Sequence, residues 1–224
     1  MRFEHLGWLP AVGLLGFFTS WLFGDLLTLP VDLYYSIYFF VITTFFIFYT
    51  KRTGIDLRSW LVHRLRWGIV LGLLVGAVMV RNVTSRPPTA QFGGAMLAWA
   101  ILWRGVVYGM IDGLLLFSFP WIVIGRAFGA ESGPFKRKLA AGIVAWLAIL
   151  FVTTLYHLGY GDFRSRKIIQ PNIGSTIMAI PTLVAANPVA SPIAHTLLHV
   201  AAVMHSPHTD LFLPPHREGK VRGQ

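Results

Sequence analysis

The chain is built from apolar stretches long enough to cross a bilayer, and nothing else in it limits the fold so tightly. A spanning helix needs about 20 mostly apolar residues. Hydrocarbon offers the backbone no hydrogen-bond partners, so a segment with that composition must satisfy its own amides. Candidate spans are Trp8–Leu29, Leu33–Tyr49, Trp67–Val80 (extendable through its flanks), Phe92–Ile124, Leu139–Tyr160 and the region Gly174–His205. The fourth is longer than one crossing, and Pro120 is expected to bend or end it. The last is broken by Pro181, Pro188 and Pro192. It reads as a short helix, an irregular stretch at Ala186-Asn187-Pro188, and a helix capped by Ser191 ahead of Pro192. The expectation is an all-α, polytopic membrane protein of about six transmembrane helices. Residues 1–205 would form one helical membrane domain and residues 206–224 a polar C-terminal tail. The first apolar run is too long for a signal-peptide core and is read as a retained span.

Only 12% of the 224 residues are charged, against about 25% in soluble domains. The formal net charge of +10 does not indicate a nucleic-acid partner, because no basic stripe lies on an otherwise polar segment. The bases sit in loops, where they orient membrane proteins. Lys51, Arg52, Arg58, Arg64 and Arg66 crowd the second loop, and Arg126, Lys136, Arg137 and Lys138 the fourth; the first loop has Asp25 and Asp32 and no base. That pattern predicts an integral protein of the cell (inner) membrane with both termini cytoplasmic (N-in, C-in). Cysteine is absent, which excludes thiol catalysis, disulfides and thiolate metal ligands.

Polar residues inside the spans are the candidates for function. A charge in hydrocarbon costs roughly 2.5 kcal/mol or more and tends to face the bundle interior. Arg104 lies well inside the fourth span, with Tyr108 and Asp112 following at four-residue steps on one helical face. An internal Arg104–Asp112 pairing is one expectation. His195 and His199 share a face of the last helix at the spacing that lets two imidazoles meet one metal or water, and His157 is a candidate third ligand. Arg104, His157, His195 and His199 are expected to meet at one level, with Asp112 nearer the cytoplasm. His205, His208 and His216 are read as interfacial or solvated, and His5 and His63 as flanking-loop residues. Tyr34, Tyr35, Tyr38 and Phe39 are read as a lipid-facing or interfacial aromatic band.

Three short segments resemble the CPBP family of intramembrane endopeptidases, which includes the CAAX prenyl proteases. Trp99-Ala100-Ile101-Leu102-Trp103-Arg104-Gly105 is similar to the arginine end of the family's EExxFRG motif. Tyr156-His157-Leu158-Gly159 is similar to its helix-ending histidine. His195-Thr196-Leu197-Leu198-His199 is similar to its HxxxN motif, with histidine for asparagine. The resemblance covers Phe92 to His205 and implies an intramembrane peptidase with Arg104, His157, His195 and His199 at its site. Trp99 and Ala100 stand where the family has its glutamates, so the water-activating carboxylate is missing at the matching position.

Three functions follow. An atypical, non-proteolytic relative would bind a membrane peptide, a lipid or a protein partner, with Arg104 structural or gripping an anionic group. A metal-dependent intramembrane hydrolase would hold zinc on His157, His195 and His199 with one position left for water. A non-enzymatic subunit of a membrane complex, or a transporter, would use the broken region around Asn187 to line a pathway.

Overall fold

The computed structural model describes residues 3–130, 133–209 and 212–215. It is helical, with no strand among the described residues. In chain order the helices are α1 (Glu4–Leu26), α2 (Val31–Thr53), α3 (Leu57–Val62), α4 (Leu65–Thr84), α5 (Gly94–Phe128), α6 (Phe135–Leu158), α7 (Arg166–Ala185) and α8 (Ala190–His205). All but α3 and α8 are long and apolar enough to cross a membrane. The chain is therefore an integral membrane protein. Large apolar side chains such as Phe40, Phe48, Trp67 and Leu74 point outward, where lipid tails are their natural solvent.

Helix α5 is the axis of the bundle. In its most apolar window 72% of residues are buried, against 28–39% in the other five long helices. Its 35 residues would extend roughly 50 Å at 1.5 Å per residue. Pro120 does not end it, because the helix continues to Phe128. A π turn at Leu114–Ser118 lies just ahead of the proline, where its ring would otherwise press on the carbonyl four residues back. A second π turn spans Ile101–Val107. Gly129, in the left-handed region at φ +59°, closes the helix.

Two glycine ladders grip α8. On α4, Gly68, Gly72 and Gly76 face Asn187, Ala190 with Ile193, and Ala194 with Leu197; on α5, Gly105, Gly109 and Gly113 face Val200, Thr196 with His199, and Pro192 with His195. A four-residue step keeps each ladder on one face, and the absent side chains let backbones approach closely. The order of partners shows α8 running parallel to α4 and antiparallel to α5.

The turn from α7 to α8 is fixed by side chains. Ala186 takes the left-handed conformation at φ +52°, and the buried Asn187 donates from Nδ2 to the carbonyls of Leu61 (3.0 Å) and His63 (2.7 Å). The irregular stretch falls where it was expected. Ser191 is not the cap, because α8 starts at Ala190. Its Oγ accepts instead from the Thr182 amide (3.2 Å), while its own amide donates to Thr182 Oγ1 (3.0 Å). The two bonds tie α8 to α7 just after Pro181 (inside α7), where the helix lacks an amide.

Because α8 returns alongside α4, its end meets the 85–93 loop, with Thr89 N donating to the His205 carbonyl (3.3 Å). The start of α1 lies at the other end of the bundle, where His5 meets Tyr49 (3.3 Å) near the end of α2. The first and last described helices therefore begin and end at opposite ends of the bundle. The α7–α8 hairpin replaces the single final crossing expected from the sequence.

Other expectations are also corrected. Tyr34, Tyr35 and Tyr38 are fully buried rather than lipid-facing. Their hydroxyls need partners that lipid lacks, and α2 turns them towards α5 and α6. His5 is buried instead of lying in a loop. Of the tail, Phe212 and Leu213 pack against the apolar core; 210–211 and 216–224, including His216, lie outside the described residues.

Candidate active site

Asp112 lies on α5 in the α-helical turn between the two π turns, facing His195 and His199 on α8. All three are buried, and one potential ligand atom from each lies within 4.8 Å of the others. Gly109, three residues before Asp112, and Gly113, one after it, face α8, so the imidazoles pack directly against the α5 backbone.

Hydrogen bonding sets the chemistry of the group. His195 Nδ1 is 3.2 Å from the carbonyl of Gly109. A carbonyl can only accept, so Nδ1 carries the proton and Nε2 is left facing Asp112 Oδ2 at 3.6 Å. That separation is too long for a direct hydrogen bond. The other carboxylate oxygen, Oδ1, accepts from the Tyr38 hydroxyl at 2.6 Å. His199 Nδ1 is buried with no protein partner. The arrangement presents a carboxylate oxygen and imidazole nitrogens to one small volume, with the His195 ring and the Asp112 carboxyl each held from behind. Such backing is the usual support for metal ligands.

These residues border a cavity of about 520 Å³ whose walls also include Tyr156, His157, Leu198 and Met178. Its outer reaches touch Asn82 and Arg86 at the end of α4 and Gln170 at the start of α7. His157 Nδ1 donates to the Thr153 carbonyl at 2.8 Å, which again leaves Nε2 as the acceptor. Behind it stands a cluster of buried tyrosines. Tyr34 meets Tyr160 (2.6 Å), Tyr160 meets Tyr156 (3.1 Å), and Tyr156 meets Tyr108, hydroxyl to hydroxyl. Tyr35 stacks on Tyr108 with centroids 3.7 Å apart.

Of the four residues expected to converge, His157, His195 and His199 border the cavity and Arg104 does not. The Arg104 guanidinium makes a two-point bond with Asp32 of α2, Nε to Oδ1 at 2.7 Å and Nη2 to Oδ2 at 3.0 Å. Trp99 Nε1 adds a third bond to the same carboxylate (3.2 Å), and Phe92 lies 5.2 Å from the guanidinium carbon. The expected Arg104–Asp112 pairing does not form: the two lie two turns apart, about 12 Å along the helix at 1.5 Å per residue, and each meets its own partner on α2, Arg104 at Asp32 and Asp112 at Tyr38. The close ligand group also differs from the expected one. Asp112 takes the place of His157, which lines the same cavity outside that group. Asp112 was set apart by depth on the assumption that α8 descends; its return brings His195 beside Gly113.

His205 Nε2 binds the Arg86 carbonyl (2.8 Å) and His208 lies against Phe92 (5.5 Å), both at the α8 end of the bundle. His63 is exposed. Tyr38, expected in an aromatic band, instead backs the site residue Asp112, and the sequence reading does not reach the two glycine ladders. The two runs of three glycines at four-residue spacing were the signal that could have placed α8 between α4 and α5. No protein-family model, curated protein or solved structure matches the chain.

Proposed function

We propose that the chain is a metal-dependent intramembrane hydrolase, with Asp112, His195 and His199 holding a divalent ion. The observation that carries this reading is the pair His195 Nε2 and Asp112 Oδ2, 3.6 Å apart, buried in a group in which one ligand atom each of Asp112, His195 and His199 lies within 4.8 Å of the others. Electron-rich atoms without a donor between them are costly at this depth. Two ligand atoms about 2 Å from a tetrahedral zinc ion lie roughly 3.3 Å apart, so the observed spacing suits that donor set. Three protein ligands leave a position for water, which is the composition of a catalytic rather than a structural site.

A bound zinc ion would lower the pKa of its water towards neutrality and polarise a substrate carbonyl. The chain's own residues supply the rest. Tyr38 and the Gly109 carbonyl hold Asp112 and His195 in orientation. His157 Nε2 is the acceptor that takes a proton from the attacking water and returns it to the leaving group as the C–N or C–O bond breaks. Arg104 keeps α5 against α2 and does not contact the substrate. The resemblance to the CPBP endopeptidases supports hydrolysis as the reaction class, and Asp112 offers a buried carboxylate that Trp99 and Ala100 do not. The cavity favours a substrate reached within the bilayer, a membrane peptide or a lipid-linked carbonyl compound, since its walls on α4 and α7 adjoin the lipid-facing Val78 and Ile173.

Metal analysis of the purified full chain tests this directly. About one equivalent of zinc is expected, with loss in His199→Ala and hydrolysis of a reconstituted membrane peptide that chelation stops. Zinc content unchanged in His199→Ala would overturn the site. Stoichiometric iron in place of zinc would overturn the hydrolase, because two histidines and a carboxylate also suit iron(II) oxygenases.

A further inference from the structure

A second cavity lies at the other end of the bundle. We infer that it binds an anionic phospholipid, with the phosphate at Arg64 and Lys138 and an acyl chain running along α6. The cavity has a volume of about 360 Å³, within the range of small-ligand sites. Its floor is made by residues with little or no side chain, including Gly125, Ala141, Gly142 and Ala145. A Cβ built on Gly142 would meet nothing within 4 Å, so the space beside α6 is open. One wall is the edge-to-face pair Trp60 and Trp121, centroids 4.8 Å apart. Amphipathic rings of this kind favour headgroup level.

The mouth carries Arg64, Lys138 and His63, and no carboxylate is among the described residues that line it. On the α3 side, Asp56 is committed to its own helix, accepting from the amides of Arg58 (3.0 Å) and Ser59 (3.3 Å). The cationic edge is held in place as well. Arg64 sits in the left-handed region at φ +52°, in the turn whose His63 carbonyl is bound by Asn187. Alternating with the cavity-lining alanines and glycine, Leu139, Ile143 and Leu147 of α6 point outward and are exposed. An apolar concavity thus opens beside a lipid-facing stripe with fixed positive charge at its end. Basic pockets between transmembrane helices suit the phosphate of an acidic lipid, and the apolar walls favour a lipid over a free anion.

The test is native mass spectrometry of the full chain in neutral detergent with an equimolar mixture of dioleoyl phosphatidylglycerol and dioleoyl phosphatidylcholine. Preferential retention of the anionic lipid by about thirtyfold is expected, roughly 2 kcal/mol from the two basic residues. Arg64→Gln/Lys138→Gln is expected to reduce the preference to within about twofold, and Gly142→Leu to reduce retention of both lipids by filling the acyl channel. Melting curves and zinc content that match wild type establish that the variants are folded, and they keep the outcome separate from that of the hydrolase reading. Equal retention of the two lipids, or a preference that survives the double substitution, overturns the inference. So does abolition of the preference by excess inorganic phosphate, which would identify a site for a soluble anion.

Discussion

Asp32 on α2 and Asp112 on α5 are two solutions to the same physical problem. Each is a carboxylate at or near membrane depth, and each meets nitrogen from a neighbouring helix. Around Asp32 the bonding is complete. Arg104 makes two short parallel bonds, Trp99 adds a third, and the pair is partly open, with side chains 13% and 35% exposed. Around Asp112 the bonding stops short. Tyr38 takes one oxygen, while the other stands 3.6 Å from an imidazole nitrogen in a site where every side chain is nearly dry. A closed ion pair fastens helices. A buried set of acceptors turned to a common volume is an arrangement that stability alone would not select, because an unpaired buried group typically costs 1–3 kcal/mol. Under the proposed function, Asp32–Arg104 is structural and Asp112–His195–His199 carries the chemistry.

The largest effect should come from Asp112→Asn. The amide keeps the size of the side chain and can still accept from Tyr38, but it loses the charge that holds a cation. Hydrolysis should fall on the order of 10³-fold, zinc content should drop to background, and the melting temperature of the metal-free protein should barely move. Activity assays, elemental analysis and thermal denaturation read these three quantities. A folded Asp112→Asn protein that retains both zinc and turnover would erase the distinction between the two carboxylates.

Asp32→Asn should give the opposite pattern. It leaves Arg104 without its counter-charge at the α2–α5 contact. Removing one partner from a desolvated pair costs 3–5 kcal/mol, and partial exposure brings the expected loss down to about 2 kcal/mol. Zinc content should be unchanged. Replacing both partners with apolar residues, Asp32→Leu with Arg104→Met, should recover most of the stability, since the penalty lies in the stranded charge. Denaturation in detergent measures this, and a greater loss in the double variant than in Asp32→Asn would mean that the ion pair contributes more than the removal of its own desolvation cost.

A third substitution asks whether the site depends on how closely α8 approaches α5. A Cβ on Gly113 would lie 2.7 Å from the Pro192 Cα, a backbone contact with no flexible side chain to give way. Gly113→Ala should push the first turn of α8 outward, costing about 1–3 kcal/mol and weakening zinc binding together with stability. Gly142→Ala, where the new methyl meets open space, is the control that should leave both in place. Equal behaviour of the two variants would remove the glycine ladders from the account of the site.

Helix type, the long apolar spans and the two histidines on one face of α8 were legible in the sequence, because each depends on local composition or on a fixed helical period. What was not legible depended on partners brought from afar. Arg104 and Asp112 both turn towards α2, and their separate partners there, Asp32 and Tyr38, cannot be read from spacing along α5. Asp112 was placed away from the histidines by counting crossings, and one extra reversal at Ala186–Val189 inverted that inference. Tyr34, Tyr35 and Tyr38 read as interfacial because tyrosine prefers that depth; the hydroxyls of Tyr34 and Tyr38 instead meet Tyr160, just past α6, and Asp112 of α5, more than 70 positions later in the chain.

The finest test concerns the residue that sets Asp112 apart without touching the proposed ion. Tyr38→Phe deletes one hydroxyl and keeps the ring that packs on Tyr108 and Tyr156. If Asp112 is a ligand, the Tyr38 bond holds its carboxylate in the orientation that aims Oδ2 at His195. Losing such backing typically weakens metal binding 10–100-fold, and about tenfold is expected here because the carboxylate remains hemmed in by α8. Stability should fall by about 1 kcal/mol, the usual worth of a single hydrogen bond. Zinc titration with a competing chelator separates the two outcomes. A drop in melting temperature with unaltered zinc affinity would place Tyr38 beside Arg104 as a fastener of helices and take away the argument that Asp112 is held in readiness for an ion.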